Sequence, residues 1–256
     1  MTEIKETRQY DECIANILED AAAVGKAAAD DVALRIQRIL DCHGTARIIF
    51  ATGASQFSFL EALIEKPLDW SRIHAFHLDE YLGLPESHPA SFRKYLRERL
   101  FDRVNPAQVH LLDGTAEDAG AECQRYARLL LEDEIHLACI GIGENGHIAF
   151  NDPPVADFQD SHWVKVVELD AACRQQQLGE GWFPTLDDVP THALTLTIPA
   201  IMRSQAISCV APDERKSDAV QRALLGPIET ACPASILRQH GNATLWLDQD
   251  AASKLQ

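Results

Sequence analysis

Several things are missing from this sequence. Its seven cysteines (Cys13, Cys42, Cys123, Cys139, Cys173, Cys209, Cys232) are odd in number, scattered, and nowhere spaced as CxxC. That argues against a disulfide framework and a zinc site, and a reducing cytoplasm fits such cysteine usage. Basic charge is scarce: 23 Lys and Arg stand against 39 Asp and Glu, a formal net charge of -16. With no Lys/Arg-rich run, the chain would repel a polyanion, so no nucleic-acid partner is expected. The opening MTEIKETRQYDE lacks the basic and apolar regions of a signal peptide, and no apolar run approaches membrane-spanning length. The expectation is a cytoplasmic protein with no membrane partner. GxxxxGK[ST] does not occur, and there is no internal repeat or low-complexity segment.

What is present is ordinary: 46% hydrophobic and 24% charged residues over 256 positions. A chain of this size fits one large α/β domain or two small ones, with ample core. From Tyr10 to Leu40 the residues Ile14, Ile17, Leu18, Ala21, Val32, Ile36 and Ile39 recur at helical spacing, which predicts one long amphipathic helix or two. Strand-like runs follow at Arg47 to Ala51, Ile73 to Leu78, Val109 to Leu112, Ile135 to Ile142, Trp163 to Leu169, Ala193 to Ile198, Ile207 to Val210 and Ala243 to Leu247. Helical patterns cover Ser91 to Phe101, Ala116 to Leu131 and Asp213 to Leu225. Strands alternating with helices predict an α/β fold, a mainly parallel sheet with helices on both faces. In such sheets ligands gather beyond the carboxyl ends of the strands. The long polar stretch from 171 to 190 reads either as a mobile lid or as a solvated connection.

Four places carry chemistry. Thr52, Gly53, Ala54 and Ser55 follow the RIIFA run and precede a helix, an arrangement that can cradle an anion on backbone N–H groups; a tight turn with an N-cap accounts for it equally well. Asp79 and Glu80 stand at a strand's carboxyl end, where mutual repulsion and burial can raise one carboxyl's pKa and suit it to acid/base work. A turn-capping role is the plain alternative. His74 and His77, three apart on a strand, face opposite sides and do not suggest a shared metal. GIGENGHIAFNDPP is the strongest signal, placing Asn145, His147 and Asp152 in a glycine-rich turn directly after an apolar strand. A histidine there can move a proton, with Asp152 orienting its ring; a buried, merely hydrogen-bonded histidine is the equal alternative. Arg174 and Lys216 are isolated cations near strand ends, either of which can grip a phosphate; a solvated surface residue is the plain alternative for each.

In chain order, ATGAS, FHLDEYLGLPESHPASF, GIGENGHIAFNDP, ALTLTIPAIM and the ERK segment ending at Lys216 resemble the glucosamine-6-phosphate deaminase (isomerase) family, related to the 6-phosphogluconolactonases, over nearly the whole chain. The resemblance implies a modified Rossmann-like fold in a single domain. It also implies an amino-sugar phosphate isomerase/deaminase of carbohydrate metabolism, yielding fructose 6-phosphate and ammonia from glucosamine 6-phosphate. Carried over by motif, Asp79 matches the enolisation base, His147 the ring-opening histidine, and Asn145 and Asp152 its supporting positions. The phosphate pocket maps to Thr52, Gly53, Ala54, Ser55, Arg174 and Lys216. Neither a metal nor a redox cofactor is implied, and a small sugar phosphate is the expected partner.

The chain departs from the family pattern at two positions. Asn145 stands where an Asp is often found, and Asp152 where a Glu is often found, so the first lacks a charge and the second is one methylene shorter. Two other functions compete. A 6-phosphogluconolactonase-type hydrolase would be expected to continue with a TASLFP-like string after the histidine, where this chain reads IAFNDP. A non-catalytic sugar-phosphate sensor would ordinarily carry a DNA-binding domain, and no helix-turn-helix pattern occurs here. The sugar's C4 configuration and the oligomeric state, a homo-oligomer included, stay open.

Overall fold

The computed structural model of the chain describes residues 2–179 and 181–255. Eleven strands occur among them: β1 (Glu6–Tyr10), β2 (Cys13–Leu18), β3 (Ala46–Phe50), β4 (Ile73–His77), β5 (Asp79–Tyr81), β6 (Gln108–His110), β7 (Leu137–Ile140), β8 (Val164–Glu168), β9 (His192–Leu196), β10 (Ala206–Val210) and β11 (Ala243–Asp248). The helices are α1 (Ala21–His43), α2 (Phe57–Ile64), α3 (Phe92–Leu96), α4 (Asp102–Val104), α5 (Ala119–Leu131), α6 (Ala171–Gly179), α7 (Ile198–Met202) and α8 (Ser217–Leu225).

Eight strands form one sheet in the order β1-β2-β11-β10-β7-β3-β4-β6, and every pairing from β2 to β6 is parallel. Alternation along β3 shows how it is covered. Ile48 and Phe50 pack with Val32 and Ile36 of α1 and Leu60 of α2, while Ile49 faces the cluster containing Tyr126 of α5 and Val220 of α8. Burial on both faces explains why these strands read as continuous apolar runs rather than alternating ones. The expected mainly parallel sheet with helices on both faces is thus the observed architecture.

One expectation needs correction, and two are extended. Residues 6–18 are a β-hairpin, not the start of a long helix. Asp11 takes a positive φ of 49° at its turn, and β2 pairs in parallel with β11, carrying Cys13, Ala15 and Ile17 into the core. Positions 14, 17, 18 and 21 fit a helical period by coincidence, since Ile14 is exposed; the helix begins only where Asp20 caps Ala23 N at 2.8 Å. The 91–101 helix continues as a π turn through Phe101 and on through α4. A second, antiparallel sheet of order β5-β9-β8 also lies beside the carboxyl ends, and its short edge strand holds Asp79 and Glu80.

The carboxyl ends of the parallel strands are level. Phe50 pairs with His77 on one side and Cys139 on the other, and Cys209 pairs with Ile140. The loops after β3, β4, β7 and β10 therefore open on one region. The end of β4 is pinned by Tyr126, whose hydroxyl accepts from His77 N at 2.9 Å and lies 3.0 Å from the His77 and His110 carbonyls. Tyr126→Phe leaves the buried His77 N–H unpaired and is expected to lower unfolding free energy by about 1–3 kcal/mol. Urea titration checks this as a fall in midpoint at unchanged slope.

Candidate active site

The four loops surround an open cleft of about 200 Å³. Its floor and one wall come from the ATGAS turn. Gly53 has a φ of 101°, a conformation in which a side chain is strained, and its carbonyl accepts from Tyr95 Oη at 2.8 Å. Ala54 to Gln56 form a short 3₁₀ turn that leads into α2, so the helix start faces the cleft. Gln56, buried below, donates through Nε2 to the Val210 carbonyl at 3.3 Å, tying this turn to the end of β10.

Asp79 and Glu80 point to opposite sides of β5 and have opposite fates. Glu80 is fully buried and saturated: it accepts from Tyr81 N at 2.9 Å, Ser91 Oγ at 2.9 Å, Phe92 N at 3.1 Å and Arg93 N at 2.9 Å, with Arg93 Nε at 3.2 Å. It therefore anchors the start of α3, the capping role that was the plain alternative. Asp79 instead lines the cleft. Burial pushes its pKa well above the ordinary carboxylate value, and the neighbouring carboxylates of Glu80 and Asp152 push the same way.

His147 reaches the cleft from the loop after β7. Gly143 lies against its ring: a Cβ there would fall 2.2 Å from His147 Cε1, so only glycine permits this approach. His147 Nδ1 lies 2.8 Å from Asp152 Oδ1, so the shorter acid does reach. Asn145 holds both partners, donating through Nδ2 to Asp152 Oδ1 at 2.9 Å and accepting from His147 N at 3.0 Å. Burial alone would raise the Asp152 carboxyl, but His147, Asn145 and Cys173 together bring it below its usual value. Ala149, two residues on, has a φ of 50°, a strained conformation that turns the chain back toward the cleft.

Lys216 lines the cleft from the turn that opens α8, and Asp213 at its start has a φ of 92°. The structure does not bring Arg174 there. Its guanidinium donates to the carbonyls of Leu186 at 2.5 Å and Val189 at 3.1 Å, closing its own segment, because α6 turns it away from the cleft. Arg215 contributes the other cation on the cleft wall, lying 3.0 Å from Asp213 Oδ2 and 3.5 Å from Glu144 Oε1. The sequence did not single out Arg215, nor Gln176, Gln177 and Trp182, which also line the cleft. RQQQ and EGWF offer no period or spacing that would have marked them. The 171–190 segment, whose residue 180 lies outside the described residues, is a helix and a 3₁₀ turn packed on the small sheet through Cys173, Phe183 and Val189.

One cluster was not foreseen: ligand atoms of His147, Asp152 and Cys173 lie within 4.8 Å of one another, a nitrogen, oxygen and sulfur set of a kind that can hold a transition metal. Here the three groups face each other.

A buried carboxyl with a raised pKa and a histidine–carboxylate pair thus face one cleft with a helix start and a lysine, beyond the carboxyl ends of a doubly covered parallel sheet. Residues 19–246 match the model of the glucosamine-6-phosphate isomerases/6-phosphogluconolactonase family, and the chain belongs to that family. The chain is 36% identical over 218 residues to a glucosamine-6-phosphate deaminase of Bacillus thuringiensis (strain Al Hakam), covering 85% of this chain and 81% of the relative. Among solved structures it is similar to a monomeric glucosamine-6-phosphate deaminase, with a TM-score of 0.86 and 31% identity over 94% of this chain and 99% of the other. A 6-phosphogluconolactonase from Shewanella baltica shares the fold at a TM-score of 0.76 and 20% identity, over 96% of this chain and 99% of that one.

Asn145→Asp places a second carboxylate against Asp152, so the pair is expected to retain a proton and orient His147 poorly. Turnover per KM should fall about tenfold or more, the scale of one lost hydrogen bond to a charged group. Steady-state kinetics at neutral pH checks this, and phosphate affinity should change little.

Proposed function

We propose that the chain is a glucosamine-6-phosphate deaminase, converting the amino-sugar phosphate and water to fructose 6-phosphate and ammonia. The observation that carries the reading is Asp79: a cleft-facing carboxyl kept above its normal pKa by burial, across the same cleft from the His147–Asp152 pair. Proton transfer at carbon needs such a base. The relatives named as deaminases support the substrate.

The roles follow from placement. The phosphate sits on the N–H groups and hydroxyls of Thr52 to Ser55, with Lys216 as its counter-charge. Arg174 was expected to share this role; Arg215 now stands nearer the cleft and takes its place in the proposal. With Nδ1 facing Asp152 Oδ1 at 2.8 Å, the other ring nitrogen of His147 accepts the anomeric hydroxyl proton and returns one to the ring oxygen, and the C1–O5 bond breaks as the aldehyde forms. Asp79 then takes the C2 proton and delivers it to C1 through an enolamine. The resulting C2 imine takes up water and releases ammonia, leaving the ketose. No step calls on a metal or redox cofactor. The 171–190 segment, within a single domain, acts as the lid that excludes water. The seven cysteines are all free, which suits a reducing cytoplasm.

Purified protein is expected to release ammonia from glucosamine 6-phosphate or its C4 epimer without added metal. Hydrolysis of 6-phosphogluconolactone alone would transfer the function to the hydrolases of the family. Asp79→Asn should abolish C2 proton exchange with solvent while retaining phosphate binding, and wild-type turnover in that variant would remove Asp79 from the mechanism.

The same carboxyl makes a stability prediction. Its pKa is raised on folding, so above that raised value the ionised group opposes the folded state, and below the unfolded value the opposition is gone. Asp79→Asn should therefore raise Tm at neutral pH, with the gain shrinking as pH falls into the ordinary carboxylate range. Thermal melts across pH read it directly.

A further inference from the structure

Of the six buried cysteines, none of which the catalytic reading uses, Cys173 on α6 stands beside the His147–Asp152 pair. We infer that Cys173 is a positioning residue for the His147–Asp152 pair, its thiol supplying a hydrogen-bond donor to the Asp152 carboxylate and tying α6 to the catalytic loop.

Three observations support this. Asp152 is fully buried, and its Oδ1 accepts from Asn145 Nδ2 at 2.9 Å and lies 2.8 Å from His147 Nδ1. Its Oδ2 is buried and has no hydrogen-bond partner in place among the described residues, a costly state for a carboxylate oxygen that a donor turned toward it would relieve. The Cys173 sulfur lies within 4.8 Å of both the Asp152 carboxylate and the His147 ring nitrogen. The helix carrying it is fixed in place, since Asp170 Oδ1 accepts from Cys173 N at 2.6 Å, and Gln176 Oε1 accepts from Glu144 N at 3.1 Å. The same short helix thus grips the catalytic loop at two points, Glu144 and Asp152.

The thiol is a donor rather than a nucleophile. Burial first, then the carboxylates of Asp152, Asp170 and Asp79, hold it protonated far above the usual thiol range. The charged or titratable groups that face Asp152 are His147, Cys173 and Asp79. Removing the S–H takes away one of the groups that keep Asp152 ionised and leaves the repulsion from Asp79.

The test compares wild type, Cys173→Ala and Cys173→Ser in ammonia release across pH. The alanine variant should lose about threefold or more of kcat/KM on the acid side, with less loss at alkaline pH, and the serine variant, which restores a donor at similar volume, should recover most of it. An unchanged pH profile in the alanine variant, or equal damage in alanine and serine, overturns the inference. Because the kinetic readout rests on the deaminase reading, a second readout is independent of turnover. The S–H stretching band in the Raman spectrum of wild-type protein should contain a lowered component, which Asp152→Asn shifts back. Its absence in the wild type overturns the inference whether or not ammonia is released. Stoichiometric binding of Zn²⁺ alone that requires Cys173 and persists in the presence of substrate would also overturn it, by making the sulfur a metal ligand.

Discussion

The site depends on a division of labour between two adjacent acids. Glu80 is buried and filled with donors from Tyr81, Ser91, Phe92 and Arg93, so it joins the short strand β5 to the first turn of α3. Because a strand sends successive side chains to opposite faces, anchoring Glu80 fixes Asp79 toward the cleft. Arg93 extends the anchor to Asp113 at 2.7 Å and to the Leu84 carbonyl at 3.0 Å, which holds the loop between β5 and α3 against the next one. A buried ion pair of this kind is weak evidence of net stability, but losing one partner leaves the other stranded, and here the stranded group would be the neighbour of the proposed base.

The second constraint is electrostatic. The chain is strongly acidic, yet its proposed phosphate site asks for cations, and the structure meets this locally with a helix start, Lys216 and Arg215 rather than with a field. Asp79 and Asp152 repel each other across the same site. Asp152 stays ionised because Asn145, His147 and the Cys173 thiol face it, whereas Asp79 lacks comparable partners and its pKa rises. Two carboxyls in one pocket are thereby driven apart in pKa, which is how one site can hold a proton acceptor for carbon beside a carboxylate that orients an imidazole. Asn145 and the short Asp152 also make sense together: an uncharged amide can approach a buried carboxylate at 2.9 Å, where a second acid could not without a shared proton.

The alternation of apolar runs with amphipathic segments, together with the ordered motifs, carried the parallel sheet and the places where chemistry should sit. Thr52 to Ser55, Asp79, His147 and Lys216 all come to one cleft because each follows a parallel strand, a regularity visible before any coordinates. The reading failed where two periods coincide or where contacts are non-local. Ile14, Ile17 and Leu18 fit a helix on paper, and only the ladder between β2 and β11 makes them a strand. Arg174 is a cation in a polar stretch, and nothing in RQQQ reveals that its guanidinium closes onto Leu186 and Val189.

The sequence by itself determined the alternation of strands and helices from Arg47 onward and the residue types able to move protons and hold a phosphate, because these are properties of local period and side-chain chemistry. The tertiary structure decided what distance and burial control. It settled which of two adjacent acids is an anchor and which faces the cleft, whether a shortened Asp152 reaches His147, which arginine stands at the cleft, and that a thiol from a helix 21 residues further along the chain meets that aspartate. Those outcomes turn on desolvation and on hydrogen bonds between segments far apart in sequence, which no linear pattern encodes.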